Sequence, residues 1–225
     1  MSYHFHAEGI LLPDDSRGDR KTQVGSKRHF TGGIVFGADH GTRLGTESHL
    51  EMKAALVLRY HPLTLDLVEQ VRFEWCDEQG EFHNHFIDLV QTRSDGSVVG
   101  YAVRPHARVS QKYRCDLARI KEQAVAQCAL DDLRLFTEEH VCPVALHNAK
   151  LFHSVRKLDP FAEPVMQDVL SSIKVTTTVG DLADQTGLGG MGFRVAVRLI
   201  YSGHLGMLRH ERINRSTKVF KAHIN

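Results

Sequence analysis

Between Ser48 and Pro105 the spacing of apolar positions changes period. Leu50, Ala54, Val57 and Leu58 recur at helical spacing, which predicts a helix opening at Ser48-His49-Leu50-Glu51 with Glu51 beside its apolar face. After a break at His61-Pro62 the pattern predicts a strand over 68–74 and a turn at Asp77-Glu78-Gln79-Gly80. A second strand follows, carrying Phe86-Ile87-Asp88-Leu89-Val90. Ser94-Asp95-Gly96 predicts a hairpin turn into a third strand that ends at Val103-Arg104-Pro105.

The flanks are read the same way. Residues 1–20 lack periodicity and carry turn signals at Pro13-Asp14-Asp15 and Arg17-Gly18-Asp19, so they are expected to be an arm that is flexible or docks on a partner. Gly33-Ile34-Val35-Phe36 predicts a short strand among irregularly spaced glycines that do not form a phosphate loop. Tyr113, Leu117, Ile120, Ala124 and Cys128 predict an amphipathic helix within 110–130, and Leu133-Arg134-Leu135-Phe136 a further strand. Residues 141–157 read as a connection. Helices over 165–173, 179–187 and 193–201 follow, then a hairpin turning at Asn214-Arg215-Ser216. That order reads as a winged helix-turn-helix.

Composition adjusts this picture in four places. At 225 residues and 42% hydrophobic content the chain can bury one good core and a smaller second one. With no apolar run long enough to span a bilayer and no signal-peptide pattern at Met1, the expectation is a soluble intracellular protein without membrane contact. Cys76, Cys115, Cys128 and Cys142 form no metal or disulfide pattern and are expected to be reduced and structural. The net charge of +1 hides an asymmetry: from Gly189 onward seven Lys or Arg stand against Glu211 alone. Arg194, Arg198, Arg209, Arg212, Arg215 and Lys218 are therefore candidate contacts to DNA phosphates or to an acidic protein partner, with a solvated charged face as the plainer reading. Arg194 and Arg198 share one helical face at i, i+4.

The candidate chemistry lies in the central stretch. Asp88 interrupts an apolar strand, which costs free energy unless the acid is paired or bound to a cation. A salt bridge to Arg104 is one solution and a metal is the other. Glu51, three residues after Ser48, can close a capping box or supply a second metal carboxylate. Hard oxygen donors of this kind suit Mg²⁺, with Mn²⁺ as a substitute, and the Val103 carbonyl can add a third ligand. His83 and His85 stand at i, i+2, but zinc would need further ligands with recognisable spacing.

Helix, strand, turn and strand in this order resemble the active-site layout of PD-(D/E)xK nucleases. More specifically, Ser48-His49-Leu50-Glu51, Asp88 through Asp95-Gly96, and Ala102-Val103-Arg104-Pro105 resemble motifs of the TnsA-type endonucleases of heteromeric cut-and-paste transposons. Glu69-Gln70 and Phe136-Thr137-Glu138-Glu139 are similar to further elements of that family. The resemblance implies an α/β fold with a restriction-endonuclease-like mixed sheet flanked by helices, plus a small winged helix-turn-helix domain. It divides the chain into an N-terminal arm and shielding loop (1–46), a nuclease domain (47–145) and a winged-helix domain (146–225). It further implies Mg²⁺-dependent nicking of the nontransferred strand at transposon ends, with Glu51, Asp88 and Arg104 as catalytic residues. The implied partners are transposon-end DNA, a DDE transposase and an AAA+ regulator ATPase.

Two positions depart from the family. Arg104 replaces its lysine, and a guanidinium cannot act as a base, although it can neutralise a charged phosphate. Ala102 stands where the family has Gln. A noncatalytic assembly subunit with the same fold, and a repair or restriction nuclease, are the alternative readings.

Overall fold

The computed structural model describes residues 5–6, 9–22, 30–37, 39–173 and 175–222. The chain divides into two compact units between Val141 and Cys142. The described part of residues 1–46 lies within the first unit.

In the first unit a two-residue ladder, β1 (Phe5–His6) with β2 (Gly9–Ile10), precedes an antiparallel hairpin, β3 (Gly32–Phe36) and β4 (Thr42–Thr46). Helix α1 (His49–Arg59) leads into β5 (Thr64–Cys76), β6 (Phe82–Arg93) and β7 (Val98–Val103). Helix α2 (Gln111–Ala126) then carries the chain to β8 (Asp132–Phe136), which pairs parallel to β7. The result is a mixed four-stranded sheet in the order β5-β6-β7-β8, flanked by helices. The first two strands run longer than their apolar alternation suggests, because each extends the ladder of the other to the Cys76–Phe82 pair. Leu117, Ile120 and Ala124 of α2 bury against Phe73, Ile87, Ala102 and Leu133, which fixes the helix on the sheet.

The arm reading is corrected for the described part of residues 1–20. Arg17 forms a two-bond ion pair with Asp66, Ser16 donates to Glu69 (2.6 Å), and the Asp19 backbone N–H donates to the Gln70 carbonyl (3.1 Å). Gly18 packs so closely that a Cβ there would collide with the Glu69 carbonyl oxygen. The segment docks on its own sheet because β5 offers it acids and main-chain groups.

The second unit begins with α3 (Pro143–Ser154), where the sequence suggested only a connection. Pro143 opens it at the first helical turn, where a missing N–H costs nothing. Helix α4 (Ala162–Ser172), strand β9 (Thr177–Thr178), helices α5 (Val179–Gln185) and α6 (Gly190–Tyr201), and strands β10 (Leu205–Met207) and β11 (Lys218–Lys221) follow. The strands form an antiparallel sheet in the order β10-β11-β9. Its core joins Met166 and Leu170 to Leu182, Val195, Leu199, Leu205 and Val219.

No helix among the described residues is long and apolar enough to cross a membrane. All four cysteines are free thiols; Cys115, Cys128 and Cys142 are exposed, so the expectation of a structural role fails for those three.

Candidate active site

Glu51 is placed by the helix start. Ser48 caps α1, accepting the Glu51 N–H (3.1 Å), and its hydroxyl donates to Glu51 Oε1 (2.9 Å). Glu51 Oε2 accepts the Glu47 backbone N–H (2.7 Å). The capping interaction is therefore formed, yet each carboxylate oxygen has a second lone pair left. Burial raises the Glu51 pKa against these hydrogen bonds, and the nearby Glu47 charge adds to the rise.

Asp88 projects from β6 between Ile87 and Leu89, which are 2% and 1% exposed. Its Oδ2 accepts the Val103 N–H (2.7 Å) and its Oδ1 accepts from Gln70 Nε2 (3.2 Å). The ladder between β6 and β7 ends at Leu89–Tyr101, so the Asp88 side chain takes over a backbone donor that the ladder leaves. Burial pushes the Asp88 pKa up to about 7, and repulsion from Glu51 adds to the rise while the Val103 and Gln70 donors and Arg20 oppose it. The helical and the extended carboxylate thus lie within electrostatic reach of each other.

Arg104 does not pair with Asp88; no ion pair joins them among the described residues. Its N–H donates to the Phe136 carbonyl (3.0 Å), and its guanidinium carbon lies 3.9 Å from the Tyr113 ring centroid. The Tyr113 hydroxyl is pushed up by burial and by the Asp88 charge, and pulled down by Arg104, so this ring stands within electrostatic reach of both. Glu138 accepts the His106 N–H (2.9 Å) and holds the chain just after Arg104-Pro105.

The two histidines have different surroundings. His83 meets Asp77 at the exposed hairpin end (2.7 Å). His85 is half-buried, its Nε2 has no protein partner, and burial together with Arg104 lowers its pKa. Among the described residues no three His, Cys, Asp or Glu side chains gather as a metal cluster. A cation here would rest on two carboxylates and main-chain oxygen, a donor set that suits a hard ion rather than zinc.

Arg20, Glu47 and Gln70 also belong to this site, although no local pattern marks Arg20 or Glu47. Arg20 donates to Gln70 Oε1 through Nε (3.0 Å) and Nη2 (2.7 Å), and Nη2 also reaches Glu47 Oε2 (2.9 Å). These partners are separated by up to 50 residues, so no local spacing signals them.

The basic positions of the second unit divide. Arg194, Arg209, Arg212 and Lys218 are exposed. Arg215 is exposed but paired with both oxygens of Asp184 (2.7 Å). Arg198 is only 8% exposed, so the expectation that it meets phosphate is corrected. It donates to Glu163 Oε1 (2.6 Å) and to the Val155 and Lys157 carbonyls (3.0 Å each). Its Nε and Nη1 donors are used inside the unit, and Nη2 lies against Glu163 as an ion pair.

No protein-family model matches the chain, and no curated protein sequence matches it.

Proposed function

We propose that the first unit is a TnsA-like, PD-(D/E)xK-type endonuclease domain that nicks DNA at transposon ends, and that the second is a winged helix serving DNA or the partner ATPase. The observation that carries this reading is the coupling of Glu51 and Asp88 across a helix start and a strand. Burial raises both pKa values and the Glu51 charge raises that of Asp88 further, so the pair is under-neutralised and a hard divalent cation would relieve it. The order helix, three strands, helix, parallel strand is consistent with the proposed nuclease fold. The order helix, strand, two helices and a two-stranded hairpin is likewise consistent with a winged helix.

Glu51 and Asp88 would hold Mg²⁺ or Mn²⁺. The Val103 carbonyl would join them, since an extended residue directs its C=O to the same side as its N–H, and that N–H meets Asp88. The bound ion would supply Lewis acidity toward phosphate and a more acidic water. Arg104 would neutralise charge on the phosphate rather than take a proton, its fork oriented by the Tyr113 face. Val103 and Gln70 would keep Asp88 oriented as it gives up its proton to bind the cation. In this reading a DDE transposase makes the other cut, the protein acts in bacterial cytoplasm, and the exposed Arg194, Arg209, Arg212 and Lys218 contact DNA phosphates or an acidic partner surface.

A noncatalytic assembly subunit is the second reading, favoured by the commitment of Arg104 to Tyr113 and of Glu51 to the helix cap. Incision of transposon-end DNA by the protein with its transposase and Mg²⁺ separates the two. Product lost in Asp88→Ala and Glu51→Gln supports the endonuclease. Product indifferent to both substitutions removes it, and cleavage that arises only in Arg104→Lys favours the subunit. Cutting of generic DNA by the protein alone would instead indicate a repair or restriction nuclease.

A further inference from the structure

We infer that Arg20 is a positioning residue for the carboxylate pair, fixing the Gln70 amide toward Asp88 and holding the Glu47 segment that caps Glu51. As a contribution to cation binding, this rests on the proposed reading of Glu51 and Asp88. The hydrogen-bond geometry stands apart from that reading.

A guanidinium only donates, so the Gln70 oxygen must face Arg20. That leaves the Gln70 NH₂ to face Asp88 Oδ1, where it is a donor matched to an ionised carboxylate. Gln70 is 2% exposed and holds a left-handed φ of 50°, unfavourable for a residue with a side chain. The Asp19 N–H bonded to the Gln70 carbonyl, and the Arg72 N–H bonded to Asp19 Oδ2 (2.8 Å), stitch the arm to this turn of backbone. Arg20 is delivered by the same stitch and lies against the Phe86 ring, 5.3 Å from its centroid.

On the other side the same guanidinium pairs with Glu47, whose backbone N–H binds Glu51. One cation from the N-terminal segment therefore organises the surroundings of both acids. Without it the Gln70 amide can rotate and turn its oxygen on Asp88, which opposes the ionised form that a cation needs.

The test uses the full chain. In nitrogen-15 NMR spectra the Gln70 side-chain amide, assigned by its loss in Gln70→Glu, should exchange slowly with solvent. Arg20→Met should speed that exchange at least tenfold and weaken Mn²⁺ binding about tenfold. Combining Arg20→Met with Gln70→Ala should weaken binding by less than the two single losses added, because the Gln70 route is then already gone and only the Glu47 route remains. Arg20→Lys keeps one donor and the charge but not the fork, so its affinity and exchange should lie between wild type and Arg20→Met. If Arg20→Met does not fold, Arg20→Lys carries the test, and wild-type exchange in that variant overturns the inference. Unchanged Gln70 exchange in a folded Arg20→Met, or losses that simply add, overturns it too. Faster Gln70 exchange in a protein whose wild type binds no Mn²⁺ leaves the positioning role standing and removes the cation-site reading.

Discussion

The guanidinium carbon of Arg104 sits over the ring of Tyr113, 3.9 Å from its centre, and Tyr113 in turn feels the charge of Asp88. The cation that follows the third strand is therefore held beside the acidic site without being neutralised by it. This arrangement leaves Arg104 able to meet an incoming anion, which a direct salt bridge to Asp88 would not.

Tyr113→Leu keeps apolar volume on α2 but removes the ring face. We expect about 1 kcal/mol less stability in urea unfolding. Cleavage should fall as well, because Arg104 is no longer oriented. Unchanged stability and cleavage would show that the stack has no consequence.

The raised pKa of Asp88 sets a pH dependence. With a folded value of about 7 against an ordinary value of 3.8, the folded chain holds more protons than the unfolded chain between roughly pH 4 and 7. Stability should fall as pH rises across that window, by on the order of 2–4 kcal/mol in total. Asp88→Asn should flatten this contribution, as read from urea midpoints at a series of pH values.

His153 acts in the opposite sense. Burial, with Arg156 nearby, lowers its pKa to about 4, so the unfolded chain holds the extra proton between about pH 4 and 6.5. The contribution is fully present above that window and is lost as pH falls through it. His153→Gln should make unfolding of the second unit less acid-sensitive, as followed by NMR signals from residues 142–222.

Arg198 and Arg194 should separate cleanly. Arg198→Ala leaves Glu163 and two carbonyls without their donor and should cost about 3 kcal/mol in urea unfolding. Arg194→Ala removes an exposed side chain whose contact is the Ser154 carbonyl (3.2 Å), so stability should stay within about 0.5 kcal/mol. If the second unit binds DNA, Arg194→Ala should weaken binding and reduce its salt dependence.

The central elements were legible because their signals are local. An acid inside Phe86-Ile87-x-Leu89-Val90 marks Asp88 whatever surrounds it, and Ser48 with Glu51 carries its own cap geometry. What was not legible depends on distant partners. Arg20 gains its role from Gln70 and Glu47, and Arg198 is buried by a carboxylate 35 positions away. Helix α3 did carry a local signal in Pro143. Its buried Asn148 breaks the apolar pattern, because that side chain serves the Glu211 carbonyl and the Ile213 N–H far along the chain.

The most direct measurement is calorimetric titration of the full chain with Mn²⁺ at pH 7, in wild type, Glu51→Gln and Asp88→Asn. One saturable site in wild type, weakened at least tenfold by either substitution and accompanied by proton release that Asp88→Asn abolishes, is the predicted result. Binding that ignores both substitutions, or no binding in the folded wild-type protein, would contradict a cation site built from these two carboxylates.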